Sequence, residues 1–119
     1  MPDKSNQFSK DWVELAETAK ALSHPARIAI IRYLLDNGPS NCNPIIEELP
    51  LSQPAVSRHL KELRESGLLE SETCGTSVCY RLNTLRMQKF CEAISRKCLE
   101  SGDLKLDMQL KVESEVENE

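Results

Sequence analysis

Apolar positions recur with helical spacing through most of the chain and lose it in a few short runs. Phe8, Trp12, Leu15, Ala19 and Leu22 advance as one helical seam and predict a first helix over Asn6 to Ala21. Core packing is the plain role for that seam. Burial against a second subunit is the other, because a small chain has little core of its own. Ser23-His24-Pro25 predicts the next start, with Ser23 as cap and Pro25 in the first turn, where a missing N–H costs nothing. Ile28, Ile31, Leu34 and Leu35 are expected to face inward, and Asn37-Gly38-Pro39 to stop the helix. His24 reads as a polar surface residue. Arg27 and Arg32 read either as phosphate contacts or as part of a solvated face. Ser40 to Cys42 has the length of an edge strand, and Pro44 to Leu49 the pattern of a short helix.

The stretch from Leu49 to Leu69, LPLSQPAVSRHLKELRESGLL, organises the rest. Pro50 cannot continue the preceding helix, since it has no backbone N–H to donate. Ser52 stands where an N-cap belongs and Pro54 falls in the first turn. Val56, Leu60 and Leu63 form one apolar stripe. At roughly 100° per residue the opposite face carries Pro54, Arg58, Lys61 and Glu65, with Ala55 and Ser57 on its shoulders. His59 falls beside the stripe, which suits a half-buried hydrogen-bonding role. Gly67 closes the helix. Helix, tight turn, and a second helix with small and basic residues near its start is the helix-turn-helix pattern, whose second helix enters the major groove.

Two strand-like runs follow, Leu68-Leu69-Glu70 and Val78-Cys79-Tyr80-Arg81-Leu82, around the turn Cys74-Gly75-Thr76-Ser77. The predicted fold class is mainly α with a small β-hairpin (α+β), a winged helix-turn-helix. On the run LSQPAVSRHLKEL, then SGLLE, then a Gly-centred wing closing on CYRL, with AKALSHPARIAIIRYL upstream, the chain resembles the ArsR-type family of bacterial repressors over residues 12 to 83. The resemblance implies a dimer that binds double-stranded operator DNA. It places Ser52, Gln53, Pro54, Ala55, Ser57, Arg58 and Lys61 on the duplex, with Gly75, Thr76 and Ser77 at the wing tip. Side-chain chemistry agrees for part of this set: Gln53 and Arg58 suit bidentate contacts to adenine and guanine, and Ser52 and Ser57 suit phosphates. The wing departs from the family in carrying one nearby cation, Arg81.

Thr84 to Ser101 predicts a last helix, with Met87, Phe90, Cys91, Ile94 and Cys98 along one stripe. Together with the first helix it resembles the family's dimer interface, for which Phe8, Trp12, Leu15, Met87, Phe90 and Ile94 are the expected contacts. Residues 1–102 are thus expected to form the DNA-binding and dimerisation domain, and 103–119 a C-terminal acidic tail. Leu104, Leu106, Met108, Leu110 and Val112 alternate with polar residues there, a strand-like pattern.

Charge changes this picture only once it is divided. The net −4 belongs to the tail, where six acids meet two lysines; the remaining residues balance, with 13 of each sign. From Leu51 to Phe90 there are six Lys or Arg against four acids, a mild basic bias in the part expected to meet DNA. No apolar run suggests a membrane span, and the first residues, MPDKSNQFSKDW, lack a signal-peptide layout. The expected location is cytoplasmic, where five cysteines are free thiols or ligands rather than a disulfide scaffold.

Those thiols are the unusual chemistry. The family's sensors use a Cys-x-Cys pair on the scaffold helix or Asp/His clusters on the last helix; here Cys42 stands alone and the last helix has no histidine, which disfavours zinc there. A thiolate-bound soft metal or metalloid ion, or a thiol oxidant, is the expected effector, with Cys42, Cys74, Cys79, Cys91 and Cys98 as candidates. Inert packing is the alternative for each. Cys74 and Cys79 flank a four-residue loop and are expected to oppose each other on the hairpin. The leading reading is a repressor that an effector releases from DNA, the alternative a winged-helix protein-interaction module. An enzyme is excluded, since no nucleophile–base set or carboxylate pair is present.

Overall fold

The computed structural model describes residues 7–98. The elements, in order, are α1 (Lys10–Ala21), α2 (Pro25–Asn37), α3 (Cys42–Glu48), α4 (Gln53–Glu65), β1 (Leu69–Cys74), β2 (Ser77–Leu82) and α5 (Thr84–Cys98). Two compact units divide within α5, Met1–Met87 and Gln88–Glu119. The expected strand-like tail lies outside the described residues.

The core of the first unit is aliphatic: Ile30, Ile45, Val56, Leu60, Leu63, Leu68 and Leu69 are all at most 1% exposed. Leu22, Tyr33, Cys42, Leu49, Leu51, Tyr80, Leu82 and Met87 pack around it. The helix-turn-helix therefore closes over α2 on one side and over the base of the hairpin on the other. Each buried leucine contributes on the order of 2 kcal/mol through its area alone.

Helix starts follow local capping chemistry. Ser9 caps α1 through the Trp12 N–H at 3.3 Å, four residues into the span expected for that helix. α2 is capped by His24, not Ser23: the imidazole Nδ1 accepts from the Ala26 N–H at 3.0 Å. Ser23 instead donates its hydroxyl to the Lys20 carbonyl, at the end of α1. α3 begins at Cys42, so the expected edge strand shrinks to a single antiparallel bridge. Ser40 and Tyr80 exchange both backbone hydrogen bonds, at 3.0 and 2.8 Å, adding one residue to the hairpin's edge.

The inward face of α2 also differs from expectation. Ala26, Ile30, Ile31 and Leu34 are buried, whereas Ile28 and Leu35 are 50% and 57% exposed. Ile28 stands about 160° round the helix from Ile30. Apolar residues lie nearly all round α2, so periodicity alone cannot choose its face. Packing against Leu60 and its neighbours on α4 makes the choice.

The hairpin is antiparallel from Leu69↔Leu82 to Cys74↔Ser77, joined by the two-residue turn Gly75-Thr76. Gly75 holds φ +66° at the first central position, as a type II′ hairpin turn requires. Strand alternation sends Leu69, Tyr80 and Leu82 to the core side and Glu70, Glu72, Cys74, Ser77, Cys79 and Arg81 outward.

Candidate nucleic-acid interface

The face opposite the α4 stripe is open. Ser52, Gln53, Pro54, Ser57, Arg58 and Lys61 are exposed and Ala55 is half-buried, while Val56, His59, Leu60 and Leu63 are buried. Ser52 caps the helix, its hydroxyl accepting from the Ala55 N–H at 3.4 Å. The structure thus brings all seven predicted α4 residues onto one turn-and-helix surface. Arg64 is exposed as well and lies three residues beyond Lys61, so it extends the same basic flank. It was not among the predicted contacts, although i, i+3 spacing from Lys61 was a sufficient signal.

What holds α4 at its angle is a polar clamp that the sequence did not disclose. Arg27, expected to be a phosphate contact or a solvated residue, is turned inward. Its Nε donates to His59 Nδ1 at 3.1 Å and its Nη1 to the Ala21 carbonyl at 3.1 Å, and its Nη2 pairs with the Glu62 carboxylate. One guanidinium therefore joins the end of α1 and the start of α2 to the middle of α4. His59, 4% exposed, also lies against His24, the cap of α2, with ring centroids 4.4 Å apart and the rings tilted by 42°. Burial, then the nearby charges of His24, Arg27 and Arg58, hold the His59 imidazole below its ordinary value, so it stays neutral and keeps Nδ1 as an acceptor. Arg32 is surface-paired with Asp36 at 3.0 Å.

The wing is electrostatically quiet. Gly75 and Thr76 are exposed at its tip, and the half-buried Ser77 donates its hydroxyl to the Cys74 carbonyl at 3.1 Å. Arg81, the one cation expected near it, is cross-strand partner to Glu70 and reaches a single carboxylate oxygen with two nitrogens, at 3.0 and 2.6 Å. That carboxylate raises the Arg81 pKa and cancels its charge toward a duplex. Contacts from this tip would be made by backbone and hydroxyl groups.

Of the expected dimer residues, Phe8 and Trp12 are 59% and 56% exposed, which overturns core packing as their role. Leu15 is half-buried and Met87 packs on the core. In the second unit, Phe90 and Ile94 are partly exposed.

The thiols are dispersed. Cys42 lines the core at the start of α3, and Cys91 is exposed on α5. Cys98 ends α5, with its side chain outside the described residues. Cys74 and Cys79 do not oppose each other directly: Cys74 faces Ser77 and Cys79 faces Glu72, so the two thiols are diagonal neighbours on the outward face. The turn has two residues rather than four, which shifts the register accordingly. The neighbouring Cys74 thiol first, then burial and the Glu72 carboxylate, raise the Cys79 pKa. Among the described residues no three His, Cys, Asp or Glu side chains converge as metal ligands.

A short scaffold helix, a capped recognition helix with its polar face outward, and a hairpin directly behind it define a winged helix-turn-helix DNA-binding regulator. Residues 22–72 match the helix-turn-helix domain family HTH_20. An HTH-type transcriptional regulator of Methanocaldococcus jannaschii is 32% identical over 83 residues, 70% of this chain and 93% of that protein. The transcriptional repressor SmtB of Mycobacterium tuberculosis is 39% identical over 67 residues, 56% of this chain but 48% of SmtB, so the match spans about half of that relative. In three dimensions an ArsR-like transcriptional regulator from Rhodococcus sp. RHA1 superposes with a TM-score of 0.68 at 25% identity, covering 91% of this chain and 96% of that one. The chain belongs to the ArsR-type family of winged helix-turn-helix transcriptional regulators. That class is one of DNA-binding transcriptional regulators rather than enzymes. Among the described residues no helix is long and apolar enough to cross a membrane.

Proposed function

We propose that the chain is a cytoplasmic homodimeric repressor that grips a palindromic operator with one α4 per protomer and releases it when a thiol-reactive species binds. The observation that carries the DNA reading is the solvent-facing row Gln53, Ser57, Arg58 and Lys61 on a helix seated from behind by Val56, Leu60 and Leu63. Neither Arg58 nor Lys61 is paired with a carboxylate among the described residues, in contrast to Arg27 and Arg81. Gln53 and Arg58 read base edges, Lys61 and the serines hold phosphates, and the wing tip adds neutral contacts. A two-fold dimer supplies two such helices about one helical turn apart, and the exposed Phe8 and Trp12 supply apolar surface for it.

The test uses a duplex selected from a random library by the wild-type protein. Affinity should fall steeply with salt, because phosphate contacts release counterions. Arg58→Ala should cost about 1–3 kcal/mol of binding and relax specificity at one base pair, while Lys61→Ala should weaken all sequences alike and lower the salt slope by about one. Binding indifferent to salt, or an Arg58→Ala variant that binds as wild type, is incompatible with this reading. For the effector, release is compared with arsenite, cadmium, zinc and peroxide on wild type and on each Cys→Ser variant. Release that no cysteine change alters would remove the thiols from the mechanism.

A further inference from the structure

We propose that Cys74 and Cys79 form a two-thiolate site on the outward face of the wing for a soft monovalent d10 cation, copper(I) or silver(I). The hairpin register places the two residues diagonally, on the same face and astride a tight two-residue turn. Such diagonal neighbours have Cα atoms about 7–8 Å apart and Cβ atoms closer. Cys74 is exposed and Cys79 half-exposed, so an ion reaches both sulfurs from solvent. The core side of the hairpin, carrying Leu69, Tyr80 and Leu82, anchors the strands and leaves the outward face to present the pair.

Ligand count selects the ion. Zinc takes four ligands and a catalytic site three. Among the described residues no third ligating side chain converges on these two sulfurs. Glu72, directly across from Cys79, offers hard oxygen rather than sulfur. Two sulfur donors without a third favour soft ions content with two-coordination.

Oxidation is the competing chemistry, and local protonation opposes it. The thiolate is the nucleophile toward peroxide, and the neighbouring Cys74 thiol raises the Cys79 pKa and so favours its thiol form. A soft cation overcomes this by displacing protons. Each thiol releases one proton to solvent and forms one sulfur–metal bond, with no electrons transferred, and the monovalent complex carries one net negative charge. Ion uptake at the wing is independent of whether the chain holds DNA, and its test contains none.

Copper(I) is presented anaerobically as its bicinchoninate complex to the full chain, and transfer is followed by loss of the chelate's colour. One ion per chain should transfer to wild type and equally to the Cys42→Ser/Cys91→Ser/Cys98→Ser variant, which keeps only the wing pair. Cys74→Ser and Cys79→Ser, each checked for unchanged circular dichroism, should lose affinity by roughly 100-fold or more, at or beyond the upper end for an outer-shell change. Failure of wild type to take the ion overturns the site. So does loss of uptake in the triple variant, or wild-type affinity in either wing variant.

Discussion

His59 accepts a hydrogen bond from Arg27 while lying against His24, and burial first, then each of these neighbours, penalises a proton on its ring. The unfolded chain carries no such penalty and binds that proton more readily. Stability is therefore fully present above the ordinary histidine value of 6.5 and declines as pH falls below it. Urea unfolding at about pH 7.5 and about pH 5.5 should show the lower midpoint in acid, and His59→Gln should flatten the difference. An unchanged pH slope in the variant would place the proton uptake elsewhere. The inward lean of His59 was readable from its place beside Val56, Leu60 and Leu63. The role of Arg27 was not, since a helix-surface arginine looks the same whether its partner is a phosphate or a carboxylate 35 positions further on, Glu62. Gly67 is a third case: a glycine after a helix reads as a stop, and φ +87° agrees. Only the fold shows the Arg86 guanidinium 3.0 Å from where a Cβ would sit.

Among the elements, α4 separates seating from reading. Leu60 is fully buried, and Leu60→Ala should cost about 2–5 kcal/mol in chemical denaturation and weaken DNA binding by unseating the helix. Arg58 is exposed, so Arg58→Ala should stay within about 0.5 kcal/mol of wild-type stability while losing DNA affinity. Equal stability losses in the two variants would contradict the division of faces. Ser52→Ala should cost about 1 kcal/mol through the lost cap, measurable by thermal melting against a Ser57→Ala control. α4 was legible because cap, proline, apolar stripe and terminal glycine agree with one another. α2 was less so, because Ile28 and Leu35 are as apolar as Ile30 and Leu34 and only contact with α4 ranks them. The hairpin's existence was plain, yet its register depended on how many residues the turn contains, and that moved Cys79 from Cys74 to Glu72.

At the scale of the whole molecule, Phe8 and Trp12 stand as the large apolar side chains left open at its N-terminal end. Both are large and more than half exposed, Phe8 just ahead of the Ser9 cap and Trp12 in the first turn of α1. If a second copy covers them, Trp12→Glu should shift sedimentation toward the monomer and, with one reading helix left, cut affinity for a palindromic duplex while sparing the fold. A wild-type monomer at binding concentrations would remove the two-helix geometry. Charge acts on this scale too. The overall excess is acidic and sits in residues 103–119, so the weakly basic outer face of α4 must do its work against a neutral body.

The sequence by itself determined the order of the helices and the hairpin, the identity of the recognition helix, its buried leucines and its outward polar row, because these follow from periodicity, caps and turns within a few residues. Tertiary structure decided which side of α2 is inside, that Arg27 and Arg81 are paired rather than free, that Phe8 and Trp12 are left open, and that two wing thiols stand diagonally on one face. Each of those depends on a partner distant along the chain or on an exact strand register, and local spacing carries no record of either.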